Sequence, residues 1–362
     1  MKGSNPRLKG SFRSFLHIFS LSAVKSGLTV LGLICQLSIP ANAQNPDGSR
    51  VNWMKLQDAV EAVKKQPKPI LLDFYTDWCG WCKRMMATTY AEENTARYIN
   101  MNFYPVKFDA EGHDTVTFEG KTYVNPNPGP RSPHQLAVEL LQGKLMYPTT
   151  LFISGYDVQK DNFQIKLLAQ GYLDKQKIEP LLVYTLENVY RTTTADDFTS
   201  DFNTAFYDTT LAERLNGLNW QLLSKIFDWN FTERKKKIAF LYTNWCNSCR
   251  VMQRAVFADT SVQRRLEKFV AVDFNVESSE PLYWNNTLFQ KKDGDGNPFH
   301  PMAMALLNKN FVLPSIVLFD EDSKVIDVIS IYLNASLLKD ILTFYGDDIY
   351  KQKSWDDFRK GK

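Results

Sequence analysis

Tyr75-Thr76-Asp77-Trp78-Cys79-Gly80-Trp81-Cys82 returns later in the chain as Tyr242-Thr243-Asn244-Trp245-Cys246-Asn247-Ser248-Cys249. These two stretches hold four of the chain's five cysteines. Structural staples in an exported protein scatter along the chain, whereas here each cysteine lies three positions from its partner. A bridge across so short a loop restricts the unfolded chain little, so stability alone is a poor reason for it. On the first turn of a helix, residues i and i+3 share a face with Cα atoms roughly 5 Å apart, inside the window of about 4.4 to 6.8 Å for a disulfide. Such a pair opens and closes without backbone travel. Helix N-terminal N–H groups and the macrodipole favour a thiolate on the first cysteine, which makes Cys79 the expected attacking thiol and Cys82 the resolving one. Zinc is the competing reading of paired CxxC motifs, but Cys82 and Cys246 are far more widely separated than the zinc-ribbon spacing of about 15 to 20 allows. No metal or other cofactor is expected beyond two redox-active disulfides, Cys79–Cys82 and Cys246–Cys249.

The repetition extends well beyond the cysteines. Val51-Asn52-Trp53 returns as Leu218-Asn219-Trp220, each tryptophan at the same remove from the first cysteine of its copy. His134, Ala137 and Leu140-Leu141 precede Tyr147-Pro148-Thr149, as His300, Ala303 and Leu306-Leu307 precede Leu313-Pro314-Ser315. The tails also match: Glu187-Asn188-Val189-Tyr190-Arg191 leading to Asp196-Asp197-Phe198 parallels Asp347-Asp348-Ile349-Tyr350-Lys351 leading to Asp356-Asp357-Phe358. So long a period exceeds any solenoid unit and reads as tandem domains. The expected division is 44–203 and 204–362, with the boundary in the polar stretch from Asn203 to Gly217.

Residues 1–43 differ from the rest. They carry five basic residues and no acidic one, then an apolar run from Ser26 to Ile39 broken by Gln36, then Pro40 and Ala41-Asn42-Ala43. The pattern predicts an export signal cleaved after Ala43 and a periplasmic or secreted mature chain; an uncleaved membrane anchor is the alternative. Cys35 follows Gly32-Leu33-Ile34, which lacks the small residue expected beside a lipidated cysteine. Without this segment the chain has 38 basic against 40 acidic residues and no basic run, which gives no electrostatic case for nucleic acid. No later apolar stretch is long enough to span a bilayer, so no membrane insertion is expected after cleavage.

Within a copy the patterning predicts strand, helix, strand, helix, strand, strand, helix. Residues 55–65 suit an amphipathic helix, Ile70–Tyr75 and Phe103–Phe108 suit buried strands, a helix starts at the CxxC, and another strand follows Pro148. Asp73-Phe74 shortly before Cys79, Trp78-Cys79-Gly80-Trp81-Cys82-Lys83 and Pro148-Thr149 together resemble the thioredoxin superfamily, in particular exported bacterial thioredoxin-like proteins that reduce protein disulfides. The second copy resembles it through Trp245-Cys246-Asn247-Ser248-Cys249-Arg250 and Pro314-Ser315. The implied fold is α/β: two tandem thioredoxin-like domains, each a mixed central sheet flanked by helices. The stretch from Cys79 to Pro148, like that from Cys246 to Pro314, is longer than in a minimal thioredoxin, so each copy carries an insertion before the proline strand.

The resemblance further implies that the Tyr147–Pro148 and Leu313–Pro314 bonds are cis and that these residues, with Trp78, Trp81 and Trp245, hold an extended peptide beside the cysteines. It also implies that Asp73 takes the proton from Cys82, a role for which a raised pKa is suited. The second copy has Phe240 in place of Asp73 and Asn244 in place of Asp77. With two carboxylates fewer, a Cys246 thiolate is expected to form at lower pH, making the second disulfide the more oxidising. Phe118–Tyr123 reads as a hairpin and Lys292–Pro298 as a turn rather than a calcium loop, since no glutamate follows at the required spacing. His134 and His300 read as capping or packing residues. Two function classes follow: an exported thiol–disulfide oxidoreductase with the first copy as main reductase, or a non-catalytic thioredoxin-fold binding or chaperone-like module. The first implies disulfide or thiol protein substrates and an upstream thiol electron donor as partners.

Overall fold

A computed structural model describes residues 44–361 apart from 128, 158–161, 212–219, 223, 225–232, 285–286, 293–295 and 309–310. The predicted export segment lies outside the described residues. In the first copy, helix α1 (Leu56–Lys65) buries Leu56, Ala59, Val60 and Val63, one stripe at helical spacing. Strand β1 (Ile70–Tyr75), helices α2 (Gly80–Ala87) and α3 (Glu93–Asn102), and strand β2 (Tyr104–Asp109) follow. Next come the hairpin β3 (Val116–Phe118) and β4 (Lys121–Tyr123), helix α4 (Gln135–Leu140), strands β5 (Thr149–Asp157) and β6 (Asn162–Gln170), and helices α5 (Lys175–Leu186) and α6 (Ala195–Tyr207).

The sheet order is β2-β1-β5-β6, with β1 parallel to β2 and antiparallel to β5. Central β1 is covered on both faces, which explains its nearly unbroken apolar run. Ile70, Leu72 and Phe74 pack with α1, while Leu71 packs with Met85, Met86 and Tyr90 on the side of the CxxC helix. Strand alternation therefore aims Asp73 at that second face.

The second copy repeats this plan. Strands β7 (Gln221–Leu222) and β8 (Lys236–Tyr242) lead to helix α7 (Asn247–Val251), which continues through a π-helical turn at Met252–Val256, and then to α8 (Thr260–Leu266) and β9 (Phe269–Asn275). The hairpin β10 (Leu282–Trp284) and β11 (Thr287–Phe289), helix α9 (Pro301–Leu307), strands β12 (Ser315–Phe319) and β13 (Val325–Ile329), and helices α10 (Ala335–Gly346) and α11 (Trp355–Lys360) complete it. The order β13-β12-β8-β9-β7 is again mixed. Among the described residues no helix is long and apolar enough to cross a membrane.

Some local expectations shift. The opening strand of the first copy shrinks to a single bridge, Met54 to Val106. The Phe118–Tyr123 hairpin forms as read, its turn at Glu119 and Gly120 having φ of 52° and 71°, the left-handed pair that a two-residue connection between twisted strands requires. In the second copy the hairpin lies ahead of Lys292–Pro298, whose residues 293–295 are outside the described set. The division between residues 203 and 204 falls inside the continuous helix α6. That helix places Phe198, Phe202 and Ala205 in one core with Phe240, Cys249 and Tyr332 of the second copy.

Candidate functional site: two CxxC disulfides

In both copies the CxxC opens a helix directly after the central strand. Cys79 and Cys82 form a disulfide with Cα atoms 5.3 Å apart, and Cys246 and Cys249 one with Cα atoms 5.2 Å apart. Each first cysteine caps its helix: Cys82 N–H donates to Cys79 Sγ and Cys249 N–H to Cys246 Sγ, both at 3.1 Å. These are the N–H groups that stabilise a thiolate once the bond is reduced. The Tyr147–Pro148 and Leu313–Pro314 peptide bonds are both cis, at the heads of β5 and β12.

Around the first pair the rim is open and aromatic. Trp78 and Trp81 remain 53% and 56% exposed, although Cys79 and Cys82 beside them are buried. Trp78 Nε1 donates to both Glu111 carboxylate oxygens at 3.0 and 2.9 Å, the Arg131 guanidinium stacks over its ring, and Tyr147 meets it edge-on at 6.3 Å. Trp81 lies 5.5 Å from the Tyr172 ring, with the Arg84 guanidinium over both. Beneath this rim Asp73 is fully buried and accepts from Tyr90 Oη at 3.1 Å and Thr150 Oγ1 at 2.8 Å, both at Oδ1. Its Oδ2 has no hydrogen-bond partner among the described residues. Loss of water outweighs those two bonds and pushes the carboxyl up to about 7.

The second pair has the same skeleton and different surroundings. Trp245 is exposed and donates to Glu277 at 3.1 Å, as Trp78 does to Glu111. Phe240 fills the place of Asp73 and packs against Phe257 and Trp220. Ser248 stands where Trp81 stands in the first copy and is buried; Val251, in place of Arg84, and Tyr332, in place of Tyr172, are buried too. The tail of the first copy covers this side. Thr192 Oγ1 donates to the Tyr332 carbonyl at 2.6 Å, Tyr332 Oη donates to Asp201 at 2.9 Å, and the Phe198 ring meets Tyr332 edge-on.

Glu187, which the tail repeat matches to Asp347, has a role at this junction that the repeat does not show. Glu187 ends α5 of the first copy, and its carboxylate accepts from Asn247 N–H at 3.2 Å and Ser248 N–H at 2.8 Å, with Oε2 3.8 Å from Cys246 Sγ. The expectation that loss of the Asp73 and Asp77 carboxylates leaves less negative charge beside Cys246 is therefore corrected. The missing acids of the second copy are answered by one from the first, and aligning a repeat with itself compares each cysteine only with neighbours in its own copy. His134 and His300 cap α4 and α9: Nδ1 accepts from Leu136 and Met302 N–H at 3.1 Å, and Nε2 meets the Asp114 and Glu280 carbonyls at 2.9 Å. Among the described residues no group of acidic, histidine and cysteine side chains could hold a metal ion.

Among solved structures, the chain is similar to a thioredoxin-fold protein from Helicobacter pylori, at 21% identity over 38% of this chain and 88% of that one, with a TM-score of 0.28. It is similar to a DsbH oxidoreductase at 21% identity over 41% of this chain and 87% of that one, with a TM-score of 0.24. For the C-terminal domain of Neisseria meningitidis DsbD in the oxidised form the values are 20%, 33%, 84% and 0.22. No curated protein matches the sequence. Residues 41–125 match a thioredoxin family model of DsbH type, described as a protein of unknown function, DUF255, and residues 230–346 match the thioredoxin-like domain model. Matched in both halves by such models, and built on two mixed sheets that each carry a CxxC helix and a cis-proline strand, the chain belongs to the thioredoxin superfamily.

Proposed function

We infer that this protein is an exported thiol–disulfide oxidoreductase acting on protein disulfides, with Cys79 and Cys82 as its working site. The observation that carries the reading is the Cys79–Cys82 pair on a helix N-terminus inside an exposed aromatic rim, beside a cis proline and above a buried carboxyl raised to about 7. Trp78, Trp81 and Tyr147 offer the apolar contact, and the Tyr147 backbone just ahead of the cis proline offers the groups that an extended peptide pairs with. In the reduced enzyme the Cys79 thiolate attacks one sulfur of the substrate disulfide, forms a mixed disulfide and releases the other sulfur as a thiolate. Cys82 then gives its proton to Asp73 and attacks Cys79 Sγ. The second substrate sulfur leaves and takes up a proton, and two electrons have passed to the substrate. The Cys79–Cys82 disulfide that remains is reduced by two electrons from an upstream dithiol donor.

Export is supported by the N-terminal basic, apolar and Ala41-Asn42-Ala43 pattern. The primary role of the first copy is supported by the contrast between its open rim and the covered Ser248 and Tyr332 of the second. The test is reduction of a model protein disulfide by the mature chain with a small dithiol. Cys79→Ser is expected to abolish most turnover, and unchanged turnover in that variant would remove the first site from the chemistry.

A further inference from the structure

The second pair does not stand free at its helix N-terminus as the first does. Glu187 has taken the Asn247 and Ser248 N–H groups, two of the donors that such a helix end offers an anion. Its Oε2 also lies 3.8 Å from Cys246 Sγ. In the disulfide state this arrangement brings no second charge to the site. On reduction, a Cys246 thiolate and a Glu187 carboxylate become like charges in contact, and the Asn247 and Ser248 N–H groups serve the carboxylate, leaving the Cys249 N–H to the sulfur. The pair then titrates as a unit, and the group with the lower ordinary pKa keeps the charge. That group is the carboxylate, so the proton stays on sulfur.

We propose that Glu187, contributed by the first copy, is a positioning residue that holds reduced Cys246 as a thiol and so makes the second pair the poorer nucleophile and the less oxidising disulfide. The inference deepens the reading of this chain as a thiol–disulfide oxidoreductase and rests on it. It reverses the order expected from the loss of Asp73 and Asp77, because thiolate stabilisation is what makes a CxxC disulfide oxidising.

The other titratable or charged groups on the elements packed here do not cancel the effect. Tyr98 of α3 lies beside Glu187 and Asn247, and burial pushes its hydroxyl well up, so it brings no charge. Asp201 of α6 is engaged by Tyr332, and the Arg250 guanidinium of α7 stacks on Phe206. Among the described residues no cation pairs with Glu187. Its own carboxyl is raised overall, loss of water outweighing the Ser248 and Asn247 bonds that lower it, and it remains the more acidic of the two groups by its ordinary value. The repeat partner of Glu187 makes the placement specific to the junction: Asp347 ends α10 in the same way and turns to Arg265 and Lys268.

The test uses the full chain with Cys79, Cys82 and Cys249 changed to Ser, reduced and treated with a small alkylating agent across pH, with the Cys246 adduct read by mass spectrometry. The expected midpoint for Cys246 lies at or above the ordinary thiol value of about 8.5. A midpoint below that overturns the proposal and needs no further variant. Glu187→Gln is expected to lower the midpoint by about one pH unit or more and to raise the rate at neutral pH by about tenfold. Glu187→Asp, which keeps the charge, should stay near the parent. A faster reaction in Glu187→Gln with an unmoved midpoint would report access alone and overturn the proposal, as would no change. Circular dichroism of each variant confirms the fold. Because a small reagent reads the thiol directly, this midpoint moves or stays whether or not the chain turns over a protein substrate, so its failure is separable from failure of the oxidoreductase reading.

Discussion

Thr150 Oγ1 donates to Asp73 Oδ1 at 2.8 Å, from a position two residues beyond the cis proline. The strand headed by the cis proline thus also orients the buried acid, and Tyr90 holds the same oxygen from beyond the end of the CxxC helix. The second oxygen is left without a partner among the described residues, available to receive a proton.

Asp73→Asn is therefore expected to keep the fold and slow resolution of the mixed disulfide. A neutral amide still accepts from Thr150 and Tyr90 but cannot take the proton from Cys82. A loss of about 10²-fold in turnover is the scale for a missing general base. The diagnostic reading is the pH profile: activity of the parent should rise through about 7, with the titration of Asp73, and that inflection should vanish in the variant. A profile that keeps its inflection near 7 would assign it to another group.

The same carboxyl has a signature in stability. An acid whose folded pKa is raised from 3.8 to about 7 binds its proton more tightly in the folded state, so the folded protein loses stability as pH rises between those values. Each pH unit of that interval corresponds to roughly 1.4 kcal/mol. Asp73→Asn removes this penalty, so denaturant unfolding of the oxidised variant relative to the parent should shift in favour of the variant on going from pH 4 to pH 8. A difference independent of pH would show that Asp73 is already ionised in the fold.

Cys82→Ser keeps the attacking thiol and removes the resolving one, so mixed disulfides with protein partners should accumulate on Cys79. Mass spectrometry of adducts from the native compartment reads the outcome. Adducts should carry Cys79, whose rim is open, and the corresponding Cys249→Ser variant should give far fewer, since Ser248 and Tyr332 lie under the tail of the first copy. Equal trapping by both variants would mean that the cover is no barrier to partners.

Much of the site is local in the chain, and for that reason it was legible. The i, i+3 cysteines need only one helical turn, the proline motifs need only a strand, and an acid in an apolar run such as Ile70–Tyr75 announces its own burial. His134 and His300 were recognisable as caps because a cap acts on the next two residues. What escaped comes from one copy acting on the other. Glu187 is 59 residues from Cys246, and Asp201 is 131 from Tyr332. No periodicity links such positions, and an internal repeat hides them, since each copy read alone gives the same local pattern. The opening strand is a smaller case: Val51 and Trp53 pack with the Met85 and Tyr90 cluster, leaving Met54 with one bridge.

The two tails test how far matching local sequence can diverge in energetic weight. Phe198 and Phe358 occupy the same repeat position and pack on equivalent helices, Phe198 near Tyr184 and Phe358 near Phe344. Phe198 is additionally enclosed by Phe202 and by Tyr332 of the second copy and is fully buried, whereas Phe358, near the chain's end, is only partly so. Deleting a fully buried phenylalanine side chain costs about 3 to 5 kcal/mol through lost transfer energy and the cavity left behind, and a half-exposed one costs less because water refills the space. Phe198→Ala should therefore lower the denaturant midpoint markedly and expose Tyr332, while Phe358→Ala should shift it by a fraction of that. It should also raise the accessibility of the Cys246 site to alkylation, which Phe358→Ala should leave alone. Equal shifts from the two substitutions would show that the tail of the first copy contributes only to its own domain and does not hold the second site covered.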